Sequence, residues 1–237
     1  MKDRIHSIQT CTKDHGPGLR YLLIMQGCPM RCKSCHHPDS RKISEGRDIT
    51  VEEIIEDVTT YLPFLQASGG GVTVSGGEAL LHTKFLNKLF GELKKLGVHT
   101  AIDTAGSCYT KSDFFLRQLN QLLSKTDLVL LNLKQINPLK HKALTGITNR
   151  HILEFAEHLA EQHVPVWIRH ELISGISDQD EDLILLSEFI HSLRNVEKVE
   201  VVPYRNGNLL GGISQDMKTP TVARITNAEQ ILNYEII

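Results

Sequence analysis

The sequence predicts an α/β fold built on parallel strands, and three observations carry that expectation. Six short apolar runs recur along the 237 residues, segments with helical spacing lie between them, and no low-complexity linker or longer repeat breaks the alternation. A hydrophobic fraction of 41% and a charged fraction of 23% belong to an ordinary globular chain that can bury one sizeable core.

The runs at residues 21–25, 72–75, 99–103, 128–133, 164–169 and 199–202 read as the strands. Phe85, Leu86, Leu89, Phe90 and Leu93 repeat at helical spacing, as do Ile152, Phe155, Ala156 and Leu159. Thr50 followed by Glu53 forms a capping box, and Gly97 stands where a helix ends. Ser177-Asp178 opens an acidic stretch reaching Asp182, whose carboxylates complement the dipole of a following helix. Six β/α units with right-handed crossovers make a partial (β/α)6 TIM-like barrel, an eight-unit barrel left open along one side. Such an open side suits a macromolecular substrate. Size and the lack of a linker predict a single domain over residues 1–237.

A net charge of -2 offers no broad basic surface, so no nucleic-acid partner is expected. No stretch reaches the roughly 18 apolar residues of a membrane span, and the polar opening Met1-Lys2-Asp3-Arg4 leads into no signal-like apolar segment. A cytoplasmic protein with no membrane contact is the expectation. The twelve histidines are scattered rather than gathered into a metal-binding tract. Five cysteines in such a chain argue against a disulfide framework, and three of them fall within eight residues.

Those three, Cys28, Cys32 and Cys35, make a C-x3-C-x2-C loop leaving the first apolar strand. A 4Fe-4S cluster has four irons, so three thiolates leave one iron without a protein ligand. The amine and carboxylate of an amino acid can chelate that iron, which puts a bound S-adenosylmethionine beside a reducing cluster able to break its C–S bond. The alternative is a zinc site that adds His36 or His37. Zinc favours paired ligands in two separated groups, however, and no second pair exists. Cys11 and Cys108 each lie alone, and a lone cysteine is more often a small buried hydrophobe. Residues 68–78 add a strand between two glycine groups; at Gly76 and Gly77 bare backbone lets a ligand approach, with Glu78 available to an ammonium.

With these motifs the chain resembles the glycyl-radical-enzyme activating family of the radical S-adenosylmethionine (SAM) superfamily. The resemblance runs over nearly the whole chain, through Gly16-Pro17-Gly18-x-Arg20, Met25-Gln26-Gly27-Cys28, residues 67–73, Asp103-Thr104, Leu133-Lys134-Gln135, and residues 153–156, 166–169 and 195–198. It implies that Cys28, Cys32 and Cys35 hold a 4Fe-4S cluster. It also implies that Gly76, Gly77 and Glu78 surround the amino group of SAM, with Asp103, Lys134 and Arg169 lining the same site. The implied partners are a glycyl radical enzyme as macromolecular substrate and a reduced flavodoxin or ferredoxin as electron donor. Each charged residue has a structural alternative: Asp103 as a turn cap, Lys134 as a solvated strand-end charge, Arg169 as half of an ion pair. An arginine inside an apolar strand needs some partner.

Several family positions are altered. Ser34 stands where the family has an aromatic directed towards the adenine, and Cys35-His36-His37 replaces Cys-His-Asn. His15 occupies the place of an aspartate before Gly16, at a segment associated with the peptide substrate. Arg205 follows Pro203-Tyr204 where the family has histidine, exchanging an imidazole contact to the cofactor for a permanent cation. The family's monovalent-cation site maps to Asp103, Thr104, Leu130 and Asn132; Asn132 keeps an oxygen donor but lacks an aspartate's charge, so a cation binds more weakly. The implied activity is abstraction of a glycine Cα hydrogen. Its rivals are a divergent radical enzyme acting on another peptide or a small molecule, and a non-catalytic zinc or iron-sulfur binding protein.

Overall fold

The computed structural model describes residues 1–205 and 217–233. Two compact units appear, Met1–Pro29 with Asp39–Leu130 and Met30–Pro38 with Leu131–Ile237.

The first unit opens with two strands that the apolar runs do not reveal. β1 (Lys2–Thr12) pairs antiparallel with β2 (Arg20–Met25), and β3 (Arg47–Thr50) pairs antiparallel with β1. Only Ile5 is buried in β1 and only Ile49 in β3, so neither carries an apolar run. β2 is buried along its whole length, as a strand covered on both faces must be. β4 (Gly71–Gly76) and β5 (His99–Thr104) continue the sheet in parallel.

α1 (Val51–Ala67) starts on the expected capping box: Glu53 N donates to Thr50 Oγ1 at 3.2 Å while Thr50 N donates to Glu53 Oε2 at 2.7 Å. α2 (Thr83–Lys95) buries Phe85, Leu86, Leu89, Phe90 and Leu93, the five residues with helical spacing, and ends before Gly97 at φ +66°. α3 (Asp113–Leu123) is capped by the Ser112 hydroxyl, which accepts from Phe115 N at 3.4 Å.

Arg20 is fully buried at the start of β2. Its Nε donates to Thr73 Oγ1 at 2.8 Å and its Nη2 to Val72 O at 2.7 Å. Burial lowers its pKa to about 10, so it stays cationic at neutral pH. A Cβ on Gly70 would lie 1.9 Å from Leu19 O, which shows how closely the two glycine motifs pack, backbone on backbone.

β6 (Leu128–Asn132) closes the first unit with Leu128–Leu130 and opens the second with its last two residues. In the second unit β7 (Val166–Leu172) pairs in parallel with β8 (Val196–Pro203). Cross-strand contacts reinforce this pairing: the Lys198 ammonium sits 4.6 Å from the Trp167 ring centroid, and Arg169 Nε lies 3.2 Å from Glu200 Oε2. Helices α4 (Pro138–Thr145), α5 (Arg150–Glu161), α6 (Asp180–Ser192) and α7 (Val222–Ile231) complete the unit. α5 buries Ile152, Phe155, Ala156 and Leu159 as their spacing predicts.

The acidic stretch divides its work. Asp178 Oδ1 accepts from Gly175 N at 2.8 Å and shapes the turn, whereas Asp180, Glu181 and Asp182 occupy the first turn of α6. Asp182 is also buried, accepting from Gln135 Nε2 at 2.9 Å and Lys140 Nζ at 2.6 Å.

The strand order is β3-β1-β2-β4-β5-β6-β7-β8, so the sheet is open. It holds the six strands read from the sequence, plus an antiparallel pair at one edge. This is the predicted α/β class, and the cysteine loop after β2, Gly76-Gly77-Glu78 at the end of β4 and Asp103-Thr104 at the end of β5 fall at C-terminal strand ends, where such folds place their chemistry. No helix among the described residues is long and apolar enough to cross a membrane.

Candidate cofactor site

In the first unit the entry to the cysteine loop is held by backbone. Gly27 N donates to Ser40 O at 2.6 Å, Cys28 N to Arg41 O at 3.0 Å, Gly77 N to Met25 O at 3.0 Å and Glu78 N to Gly27 O at 2.8 Å. A Cβ on Gly77 would lie 2.2 Å from Gly27 O, and one on Gly76, at φ +139°, would lie 2.3 Å from Met25 N. The space at Gly76 is therefore taken by the backbone of Met25 at the end of β2, and that at Gly77 by the cysteine loop's Gly27. Gln26 adds a second clasp: its Nε2 donates to Asp39 O and Lys42 O, each at 2.8 Å. His82 lies 2.8 Å from Gln26 O through Nε2 and 2.9 Å from Asp3 Oδ2 through Nδ1.

Glu78, 2% exposed, accepts from Ser107 Oγ at 2.8 Å, Ser107 N at 3.2 Å, Leu80 N at 3.2 Å and the Thr104 hydroxyl. Thr104 Oγ1 in turn accepts from Gly106 N at 2.9 Å. Asp103 Oδ2 lies 3.0 Å from His15 Nδ1, so the carboxylate meets the very residue that departs from the family pattern. Leu130 is fully buried in β6. Burial, and then the charge of Glu78, push the Cys108 thiol well above its usual range, which keeps it protonated and a poor metal ligand.

In the second unit the turn carrying Cys32 and Cys35 is fastened by Arg31 N to Thr145 O at 2.8 Å and Lys33 N to Leu144 O at 2.9 Å. Ser34 Oγ donates to Glu171 Oε2 at 2.6 Å, and Lys134 Nζ donates to the same oxygen at 3.0 Å. His36 Nε2 stands 3.2 Å from Glu171 Oε1 without hydrogen-bond alignment. Burial raises the pKa of Glu171, but Lys134, His36 and Ser34 outweigh it and bring the value down to about 2. Burial lowers Lys134, yet Glu171, Cys32 and Cys35 hold its ammonium above the usual lysine range. Lys134 is thus a half-buried, paired charge rather than a solvated one, and Arg169 pairs with Glu200 on the neighbouring strand. Asn132 is half-buried and Arg205 exposed.

Glu171 was not singled out from the sequence. It could have been, because the argument that an arginine inside an apolar strand needs a partner applies equally to a carboxylate two residues further on.

All five cysteines are free of disulfides, with Cys32 buried and Cys28 and Cys35 half-buried. Among the described residues no group of three or more His, Cys, Asp or Glu side chains is gathered to hold a metal ion. The donor chemistry nevertheless fits a 4Fe-4S cluster: three free thiols on one short loop, a cation beside Cys32 and Cys35, and the Cys108 thiol held protonated by burial.

The sequence profile of the Radical SAM superfamily matches residues 22–186. A pyruvate formate-lyase-activating enzyme of Staphylococcus epidermidis is 52% identical over 205 residues, covering 86% of this chain and 82% of the relative. A solved domain of a pyruvate formate-lyase-activating enzyme from Bacteroides vulgatus is similar at a TM-score of 0.59 and 29% identity, over 69% of this chain and 92% of that one. SuiB of Streptococcus suis bound to S-adenosylmethionine shares the fold at a TM-score of 0.65 and 17% identity, over 86% of this chain and 44% of that one. The chain belongs to the radical SAM superfamily.

Proposed function

We propose that this chain is an activase that installs a radical on a glycine of a partner enzyme resembling pyruvate formate-lyase. One observation carries the reading: the C-x3-C-x2-C loop lies in a chain 52% identical, over 205 residues, to a pyruvate formate-lyase-activating enzyme. When bound, the 4Fe-4S cluster supplies the electron that splits SAM into methionine and a 5′-deoxyadenosyl radical, and this radical removes the glycine Cα hydrogen.

Cys28, Cys32 and Cys35 are the cluster ligands. Lys134 and Arg169 line the SAM site, and Gly76, Gly77 and Glu78 lie around its amino group. Ser34, Asp103 and Arg205 complete the SAM site in this reading, with Ser34 and Arg205 replacing an aromatic and an imidazole. Asp103, Thr104, Leu130 and Asn132 are the candidate ligands of a monovalent cation. The imidazole of His15 beside Asp103 and the neutral amide of Asn132 both favour weak binding there. A reduced flavodoxin or ferredoxin is the electron donor, and the cytoplasm, away from membrane and nucleic acid, is the setting. The family match runs unbroken through residues of both compact units, which supports one catalytic domain.

The test is anaerobic reconstitution followed by mixing with SAM, a reductant and a pyruvate formate-lyase-type partner. About four irons per chain and a glycyl radical in the paramagnetic resonance spectrum are expected. Zinc without iron sinks the enzyme reading, and cofactor cleavage without a glycyl radical points to another substrate.

A further inference from the structure

Ser34 and His36 flank Cys35 in the chain, and both side chains meet one carboxylate, that of Glu171. Side chains alternate along β7, so Glu171 shares a face with Arg169 while Ile168, His170 and Leu172 point the other way. The strand itself is anchored by its pairing with β8, by Leu133 N to Arg169 O at 2.9 Å, and by Ser177 Oγ to Glu171 O at 2.6 Å. A buried ion pair adds little net stability compared with apolar packing, so stability alone gives no reason for a carboxylate here. Second-layer groups of this kind orient metal ligands and tune the metal.

We propose that Glu171 is a positioning residue for the iron-sulfur cluster. It fastens the residues on either side of Cys35 to a rigid strand and offsets the Lys134 ammonium beside Cys32 and Cys35. The inference rests on the activase reading only in requiring that these cysteines bind a cluster. Two consequences follow from the charges. An uncompensated Lys134 favours the reduced, more negative state of the cluster, so removing the Glu171 charge moves the midpoint potential to a more positive value. Removing both acceptor oxygens frees the turn, and iron is lost more readily.

The experiment compares wild type, Glu171→Gln and Glu171→Leu after anaerobic reconstitution, without SAM or partner. The potential is read by redox titration and iron retention by challenge with a chelator. Glu171→Gln, which keeps an oxygen for Ser34, is expected to hold iron at the wild-type level with a more positive midpoint. Glu171→Leu is expected to release iron several-fold faster. An unchanged or more negative midpoint for Glu171→Gln overturns the proposal, whether or not the leucine variant folds. If wild type binds iron, that result leaves the activase reading intact; if wild type binds none, both fall.

Discussion

Gly77 stands against Gly27 so closely that a Cβ on the one would lie 2.2 Å from the carbonyl oxygen of the other. The glycine pair after β4 and the cysteine loop after β2 are therefore one backbone assembly. Gly77→Ala is expected to displace the loop, cost at least about 1–3 kcal/mol of stability and abolish iron uptake. Gly97→Ala is the control: no atom lies within 4 Å of its Cβ position, so only the strain of φ +66° applies, about 1–2 kcal/mol, and iron uptake persists. Thermal denaturation and iron content distinguish the two; equal iron loss in both variants would count against the assembly.

The His15–Asp103 contact makes a second prediction. Asp103 is 7% exposed, and loss of the imidazole in His15→Ala is expected to cost about 1–3 kcal/mol. His15→Asp sets a second carboxylate there instead, which a cation relieves. Urea melts in potassium chloride and in choline chloride at equal ionic strength should show a potassium-dependent gain for His15→Asp and little for wild type. An equal salt response in both chains refutes this.

Arg20 is held as a planar fork, with Nε on Thr73 and Nη2 on Val72. Lysine keeps the charge but cannot reproduce both bonds. With hydrogen bonds to charged groups worth about 1.5–3 kcal/mol each, Arg20→Lys is expected to lower stability by about 3 kcal/mol in chemical denaturation. A change within error of zero would mean that the fork contributes nothing.

Acid should weaken the fold in two stages. Burial lowers the pKa of His99, His141, His158 and His170 below the usual 6.5, so the unfolded chain binds more protons than the folded one as pH falls through that value. Stability from these groups is complete above pH 6.5 and declines below it, by at most about 1.4 kcal/mol per pH unit for each histidine. Glu171, held at about 2 against a reference of 4.5, contributes above pH 4.5 and loses its contribution between 4.5 and 2. Melting temperatures from pH 7.5 to pH 3 test this; a flat profile between pH 7 and 5.5 contradicts the histidine assignment.

Local pattern was enough for much of this molecule. The six strands were legible as short apolar runs, most clearly β2, which is apolar over residues 21–25 because both its faces are covered, and the helices because one apolar face repeats at a period near 3.6. The cysteine loop was legible because its ligands are neighbours in the chain. β1 and β3 were not, since each buries a single isoleucine and depends on pairing for its existence. The partners of the charged residues were equally hidden. Ser34 meets Glu171 across 137 residues and His15 meets Asp103 across 88, and no local rule says which carboxylate a hydroxyl or an imidazole will face. Folding decides that, because a buried charge is tolerated only where the chain brings it a counter-charge or hydrogen-bond donors.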